Sequence, residues 1–282
     1  MTSPAPDDPR PDTPAPGPAP GPASDPAAGA VPAAAPAFGG QRADLWMQIL
    51  LVLGVSLGAS ALWSVLQLAE TLTTSSIAES QAALNPQLSA NPVFDIMRRV
   101  LGIVLALVPP LLALYLLAGS AGQLRTVLRR IGLDLRLPGA DIALGVLLLV
   151  VMGLGTVGLY QAGRALGITA ELTTNAGGTA WWEVLLLLAS AARHSLVEEI
   201  IVVAFLADRL LRVGWAWPAV LIGSALLRGS YHLYQGVGPA LGNVVMGLVF
   251  LWLYRRTGRL MPLVIAHFLL DAVGFLAGPL LF

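Results

Sequence analysis

A chain that must bury one apolar stretch after another, each long enough to cross about 30 Å of hydrocarbon at about 1.5 Å per residue, has few folds open to it. Seven such runs follow one another here, over residues 45–70, 95–118, 141–163, 180–207, 216–235, 239–255 and 261–281. Inside lipid each backbone polar group has to be satisfied within its own segment or by a closed sheet, so uninterrupted runs of this length read as helices. The expected fold class is therefore all-α, a polytopic membrane helix bundle of about seven transmembrane helices over residues 42–282. With 56% hydrophobic and 11% charged residues the composition agrees, being far from the soluble average. The lipid bilayer is thus the first partner. Net charge is zero and no basic patch is interleaved with aromatics, which argues against nucleic acid. The absence of Cys excludes disulfides, thiolate catalysis and Cys-ligated metals.

Residues 1–41 hold twelve of the twenty-one prolines among Ala, Gly, Ser and Asp, with almost nothing that builds a core. This segment is expected to be a disordered, partly polyproline-like tail, and it lacks the basic-then-apolar order of a secretory signal. Within the second run, Pro109 and Pro110 remove two backbone donors and predict a kink or break. Residues 119–140 space apolar side chains helically with Arg125, Arg129 and Arg130 between them, as in a segment lying along the interface.

The arginines predict orientation. Arg125, Arg129, Arg130 and Arg136 fall in one connection, Arg209 and Arg212 in another, and Arg255, Arg256 and Arg259 in a third. These are alternate loops, which for a multi-pass protein of the cell (inner or plasma) membrane puts the N-terminus in the cytoplasm. Arg98 and Arg99 fall on the opposite side. Trp181, Trp182, Trp215 and Trp217 stand at run ends, where an aromatic belt is expected.

Ionisable residues inside the runs are expensive and so point to function. Glu198 and Glu199 are adjacent in SLVEEIIVVAFLADRL; two like charges there need separate partners or a shared proton. The alternative is a helix end dipping into interfacial water. Arg228 and His232, four apart in LLRGSYHLYQG, share a helical face, and the guanidinium requires an anion for which Glu198 and Glu199 are the obvious intramembrane candidates. His267 and Asp271 repeat that spacing in MPLVIAHFLLDAVGF, either as a site or as hydrogen-bonded packing between helices. His194 lies four residues before Glu198 and reads as a supporting donor; Asn243, beside Gly242 and Gly247, reads as interhelical glue. Spacing alone assigns nothing to Ser230, Tyr231 or Gln235.

A Glu-Glu pair in one run, a His at the end of the next and a HxxxD pattern two runs later together resemble the CPBP (CAAX protease and bacteriocin-processing, Abi) family of intramembrane endopeptidases, Rce1-like members included. The resemblance covers about residues 180–281, the expected catalytic core. Two positions depart from it: Val203 stands where the family's EExxxR motif has Arg, and Arg228 where its FxxxH motif has Phe. An arginine lost from one helix and gained on the next suggests a guanidinium relocated within one cavity. Asp271 stands where the best-studied members have Asn.

The resemblance implies hydrolysis of a peptide bond in or near the bilayer, with a membrane-associated peptide or protein as substrate and no cofactor. It casts Glu198 as the base that deprotonates water, His232 as sharing that water, His267 and Asp271 as oxyanion stabilisers, and Glu199 as a structural partner, for instance to Arg228. The same residue types leave a zinc reading open, with Glu198, His232 and His267 as ligands, although no HExxH motif is present. A catalytically silent membrane scaffold or immunity protein is the reading from another class. Transport is disfavoured because the broken helix at Pro109-Pro110 has no counterpart in the second half.

Overall fold

The computed structural model describes residues 1–2, 39–174 and 180–281. Most of the Pro-rich segment read as a tail, residues 3–38, lies outside the described residues. The first apolar run forms two helices, α1 (Gly39–Gly54) and α2 (Leu57–Thr74), bent by 54° at their junction. The local cause is Ser56, whose hydroxyl donates to the Val52 carbonyl at 2.5 Å and competes with the helical ladder. Gly58 permits the bend, because a Cβ there would stand 2.8 Å from the Leu53 carbonyl oxygen.

The second run starts at Asn91, whose side chain accepts from the amides of Val93 and Phe94, and comprises α3 (Pro92–Ala106) and α4 (Val108–Ala118). The expected disturbance at Pro109-Pro110 is mild. Both prolines occupy the first turn of α4, where amide donors are dispensable, and Pro92–Ala118 remains one span of 27 residues. Residues 119–140 give only a short helix, α5 (Leu124–Arg130), with Val127 and Ile131 buried. Its following turn docks onto the turn at 258–261 through Leu260 N–H to the Ile131 carbonyl (3.0 Å) and Met261 N–H to that of Gly132 (3.1 Å).

Next come α6 (Pro138–Ala165), α7 (Trp181–Glu198), a π-helical stretch over Glu199–Leu206, and α8 (Ala207–Val213). The last three run on as one rod in which all eight π residues are buried. α9 (Trp217–Ser230) is followed by a turn at 231–236, then by α10 (Val237–Thr257) and α11 (Met261–Leu281). Of the seven apolar runs, four yield helices long and apolar enough to span unaided, and the α1–α2 pair is a fifth if taken as one bent span. The other two are helical but of another kind. The α7–α8 rod carries Arg193, Glu198 and Glu199 mid-way and depends on protein neighbours rather than lipid. At 14 residues, α9 reaches only about 21 Å.

α9 and α10 approach closely through small residues: a Cβ on Gly229 would meet Val244 Cγ2 at 2.5 Å, and one on Gly247 would meet Ala225 Cα at 3.0 Å. Asn243 plays no part in this contact. Its amide donates to the Pro239 carbonyl of its own helix at 3.0 Å, so the expectation of interhelical glue fails at that residue. Two short strands, β1 (Gln81–Leu84) and β2 (Glu171–Thr174), pair in parallel at the end where α3 and α7 begin. Hydropathy gave no sign of them.

Candidate functional site

The centre is assembled from the junction of α7 with the π stretch, the last turn of α9, and the first half of α11. Each carrier is fixed independently. α11 packs along α6 and α7, while α4 covers the π stretch. The turn after α9 is held at three points: Tyr234 N–H to Ser64 Oγ (2.7 Å), Ala170 N–H to the Gln235 carbonyl (3.0 Å), and a bridge between Thr169 and Gly236. Gly236 is required there, since its φ is +100° and a Cβ would lie 2.6 Å from the Ile168 carbonyl oxygen.

Arg228 sits at the middle with no solvent exposure. Its Nη2 donates to Glu199 Oε1 in a short contact and lies 3.4 Å from Glu198 Oε2. The pairing required of an intramembrane arginine is therefore present, and it reaches both glutamates. The guanidinium also lies 5.4 Å from the centroid of the Phe250 ring. His267 Nδ1 is 2.7 Å from Glu199 Oε1, and since a carboxylate only accepts, this ring nitrogen carries the proton. The 3.4 Å approach of Arg228 Nη2 to His267 Nδ1 is then two donors converging on one oxygen.

Glu198 is engaged differently. Tyr231 donates its hydroxyl to Oε2 at 2.7 Å, and every protein hydrogen bond to Glu198 among the described residues falls on that oxygen. His232 Nε2 stands 4.0 Å from the same Oε2, and neither ring nitrogen has a hydrogen-bond partner among the described residues. Adjacent positions on one helix have thus acquired separate jobs, Glu199 locked to Arg228 and His267, Glu198 turned to Tyr231 and His232.

The spacing of His267 and Asp271 suggested a direct pair, but His267 Nε2 to Asp271 Oδ2 is 3.7 Å, longer than a hydrogen bond. Asp271 lies nearer His194 Nδ1, at 3.4 Å, and His194 lies against Arg193 and the Phe275 ring instead of supporting Glu198. Tyr231 is the partner that spacing did not assign; its position three residues after the buried Arg228 was the available signal. Arg193 is a second guanidinium inside an apolar run, and the same cost of burial marks it in the sequence. Among the described residues no group of three or more His, Asp or Glu side chains is arranged to hold a metal ion, and the Arg228 guanidinium lies against both glutamates.

Buried carboxylates, imidazoles and a guanidinium gathered from three helices, within a chain of membrane-spanning helices, define a multi-pass membrane protein with an intramembrane polar centre. Residues 180–273, from the start of α7 into α11, match the family model described as type II CAAX prenyl endopeptidase Rce1-like, so this third of the chain is similar to that family. No curated protein and no solved structure matches the chain.

Proposed function

We propose that the protein is an intramembrane endopeptidase that hydrolyses a peptide bond in or beside the bilayer, with Glu198 as general base. The observation that carries this reading is the 4.0 Å between Glu198 Oε2 and His232 Nε2, with both His232 nitrogens lacking a hydrogen-bond partner among the described residues. That separation suits one water hydrogen-bonded to both groups. Glu198 takes a proton from the water as its oxygen adds to the scissile carbonyl, then returns the proton to the leaving amine. His267 acts as the imidazolium: its Nδ1–H is held by Glu199, its Nε2–H is the donor for the developing oxyanion, and Arg228 keeps both glutamates in register. Asp271, at 3.7 Å, supports His267 electrostatically.

No metal takes part in these steps. A zinc site made of Glu198, His232 and His267 would have to compete with the Glu199–His267 contact and with a neighbouring guanidinium. The substrate is a membrane-associated peptide or protein, and the protein resides in the cell membrane with its arginine-rich end in the cytoplasm.

The direct test is Glu198→Gln, which keeps shape and hydrogen bonds but cannot accept the proton. Cleavage of a membrane-embedded peptide by the purified protein in liposomes is expected to fall at least about a hundredfold while thermal unfolding is unchanged. A well-folded Glu198→Gln protein that still cleaves would remove the assignment.

A further inference from the structure

A cavity of about 370 Å³ opens beside this centre, between α3, α7 and the loop that follows β1. Its wall is apolar at Leu186, Ile103 and Phe275, yet three arginines, Arg98, Arg99 and Arg193, also line it. Their charges are not equally matched. Arg99 is neutralised by Asp95 (3.4 Å) and Glu183 (2.7 Å), whereas neither Arg98 nor Arg193 has a carboxylate within 4 Å among the described residues.

Arg193 is the more informative of the two. Its Nη2 reaches Ser190 Oγ at 3.4 Å and His194, while its buried Nε–H has no acceptor. Asn85, on the same wall, spends its side-chain oxygen on the Ser190 hydroxyl at 2.6 Å and keeps a buried Nδ2 that donates to nothing. The hydroxyl of Tyr234 accepts from Gln235 at 2.7 Å and has no acceptor of its own among the described residues. Donors without acceptors, around an unpaired guanidinium and against an apolar wall, are the complement of a carboxylate carried on an apolar segment.

The cavity also communicates with the centre. From Arg193 the polar contacts run to His194, then to Asp271 (3.4 Å), His267 (3.7 Å) and Glu199 (2.7 Å). We propose that this cavity is a substrate subsite in which Arg193 and Asn85 bind a carboxylate of the peptide, with Arg98 at the rim adding attraction. The proposal rests on the endopeptidase reading for the identity of its guest, and it makes Arg193 and Asn85 specificity-determining residues. Asn85 and Arg98 come from the part of the chain that precedes the Rce1-like match.

The test measures binding, so that it does not depend on cleavage. Three dansyl peptides of alternating Leu and Ala would be titrated into the full-length protein in phosphatidylcholine nanodiscs: one with a free C-terminal carboxylate, one amidated, and one amidated but carrying an internal Glu. Wild type is expected to bind one or both carboxylate forms at least about tenfold more tightly than the neutral form, and which form is preferred identifies the source of the carboxylate. Arg193→Gln should abolish the preference and Asn85→Ala should reduce it. Arg193→Lys, which keeps the charge without the fork, should retain a part and serves if the Gln variant does not fold. Equal binding of all three peptides by wild type overturns the proposal, as does a preference that is undiminished in either folded Arg193 variant. Displacement of all three peptides alike by phosphatidylglycerol would overturn it in favour of a lipid headgroup. Carboxylate preference in a protein that cleaves none of the peptides would uphold the subsite and count against the protease reading, so the two fail separately.

Discussion

On the relocation reading, Arg228 stands in for the arginine that the resembled motif carries where this chain has Val203. It is fully buried, serves two carboxylates and faces Phe250, so replacing it by Phe strands two glutamates together in low dielectric. Removing one partner of a buried pair typically costs about 3–5 kcal/mol, and Arg228→Phe is expected to lose activity and a comparable share of stability. Val203 is four residues beyond Glu199 and buried in the π stretch. Val203→Arg in the Arg228→Phe background is therefore expected to recover much of the loss, as read by a double-mutant cycle on the midpoint of denaturation and on cleavage rate. No rescue would mean that Arg228 is not a relocated charge. At this scale the sequence showed which residues are costly to bury, because an ionisable side chain inside an apolar run is visible without any structure. It did not show how they pair. His267 reaches Glu199 instead of Asp271 because α11 is packed against α7, a contact made by side chains with no sequence periodicity in common.

Helices were readable from run length, and their interruptions only where prolines mark them. The proline pair does interrupt the run, at the single residue Leu107 between α3 and α4, without ending the span, while Ser56, which carries no obvious signal, bends the first span. The π stretch is equally silent in sequence. Its eight buried residues follow directly on Glu198 and displace the later side chains from strict α register, a device often found next to functional groups. The closeness of α9 and α10 gives an element-level test. Gly229 is in van der Waals contact with α10, and a methyl group there would collide with the Ala240 carbonyl oxygen at 2.8 Å as well as with Val244. Gly229→Ala is expected to destabilise by about 1–3 kcal/mol and, by tilting the helix end that carries Tyr231 and His232, to lower kcat more than it alters KM. Unchanged melting and kinetics would show that α9 has slack.

Across the whole molecule, the arginines gather at one end. Arg125, Arg129, Arg130 and Arg136 lie on α5 and the loop after it, Arg212 at the end of α8, and Arg255 and Arg256 in the last turn of α10. Arg255 and Arg256 stack over Trp217 and Trp252, and Arg259 clamps Asp141 through two hydrogen bonds of 2.6 and 2.5 Å, tying α11's start to α6. The opposite end holds Arg98 and Arg99 at the start of α3 and Arg164 in the last turn of α6; Arg99 is spoken for by Asp95 and Glu183, and Arg164 by the Ala78 and Thr169 carbonyls, which weakens their apparent conflict with the charge rule. Because the chain has no cysteine, single substitutions map this directly. Arg125→Cys is expected to react with an impermeant maleimide only from the cytoplasmic side and Gln87→Cys only from the other; reversed labelling would invert the orientation. Prolonged chelation is expected to leave cleavage unchanged, and zinc bound stoichiometrically by wild type but lost in His232→Ala would convert the mechanism to a metal-dependent one.

The three helices that meet at Arg228 also fix a schedule. A ribosome delivers the glutamates first, the arginine about thirty residues later, and His267 only when the last helix emerges. Until then Glu199 has its guanidinium but not its imidazole. A chain stopped after Thr257 is expected to insert and to remain inert, measurable as membrane integration without cleavage. On the endopeptidase reading proposed above, neighbouring nascent chains in the same membrane would thereby be spared hydrolysis by an unfinished copy of this one.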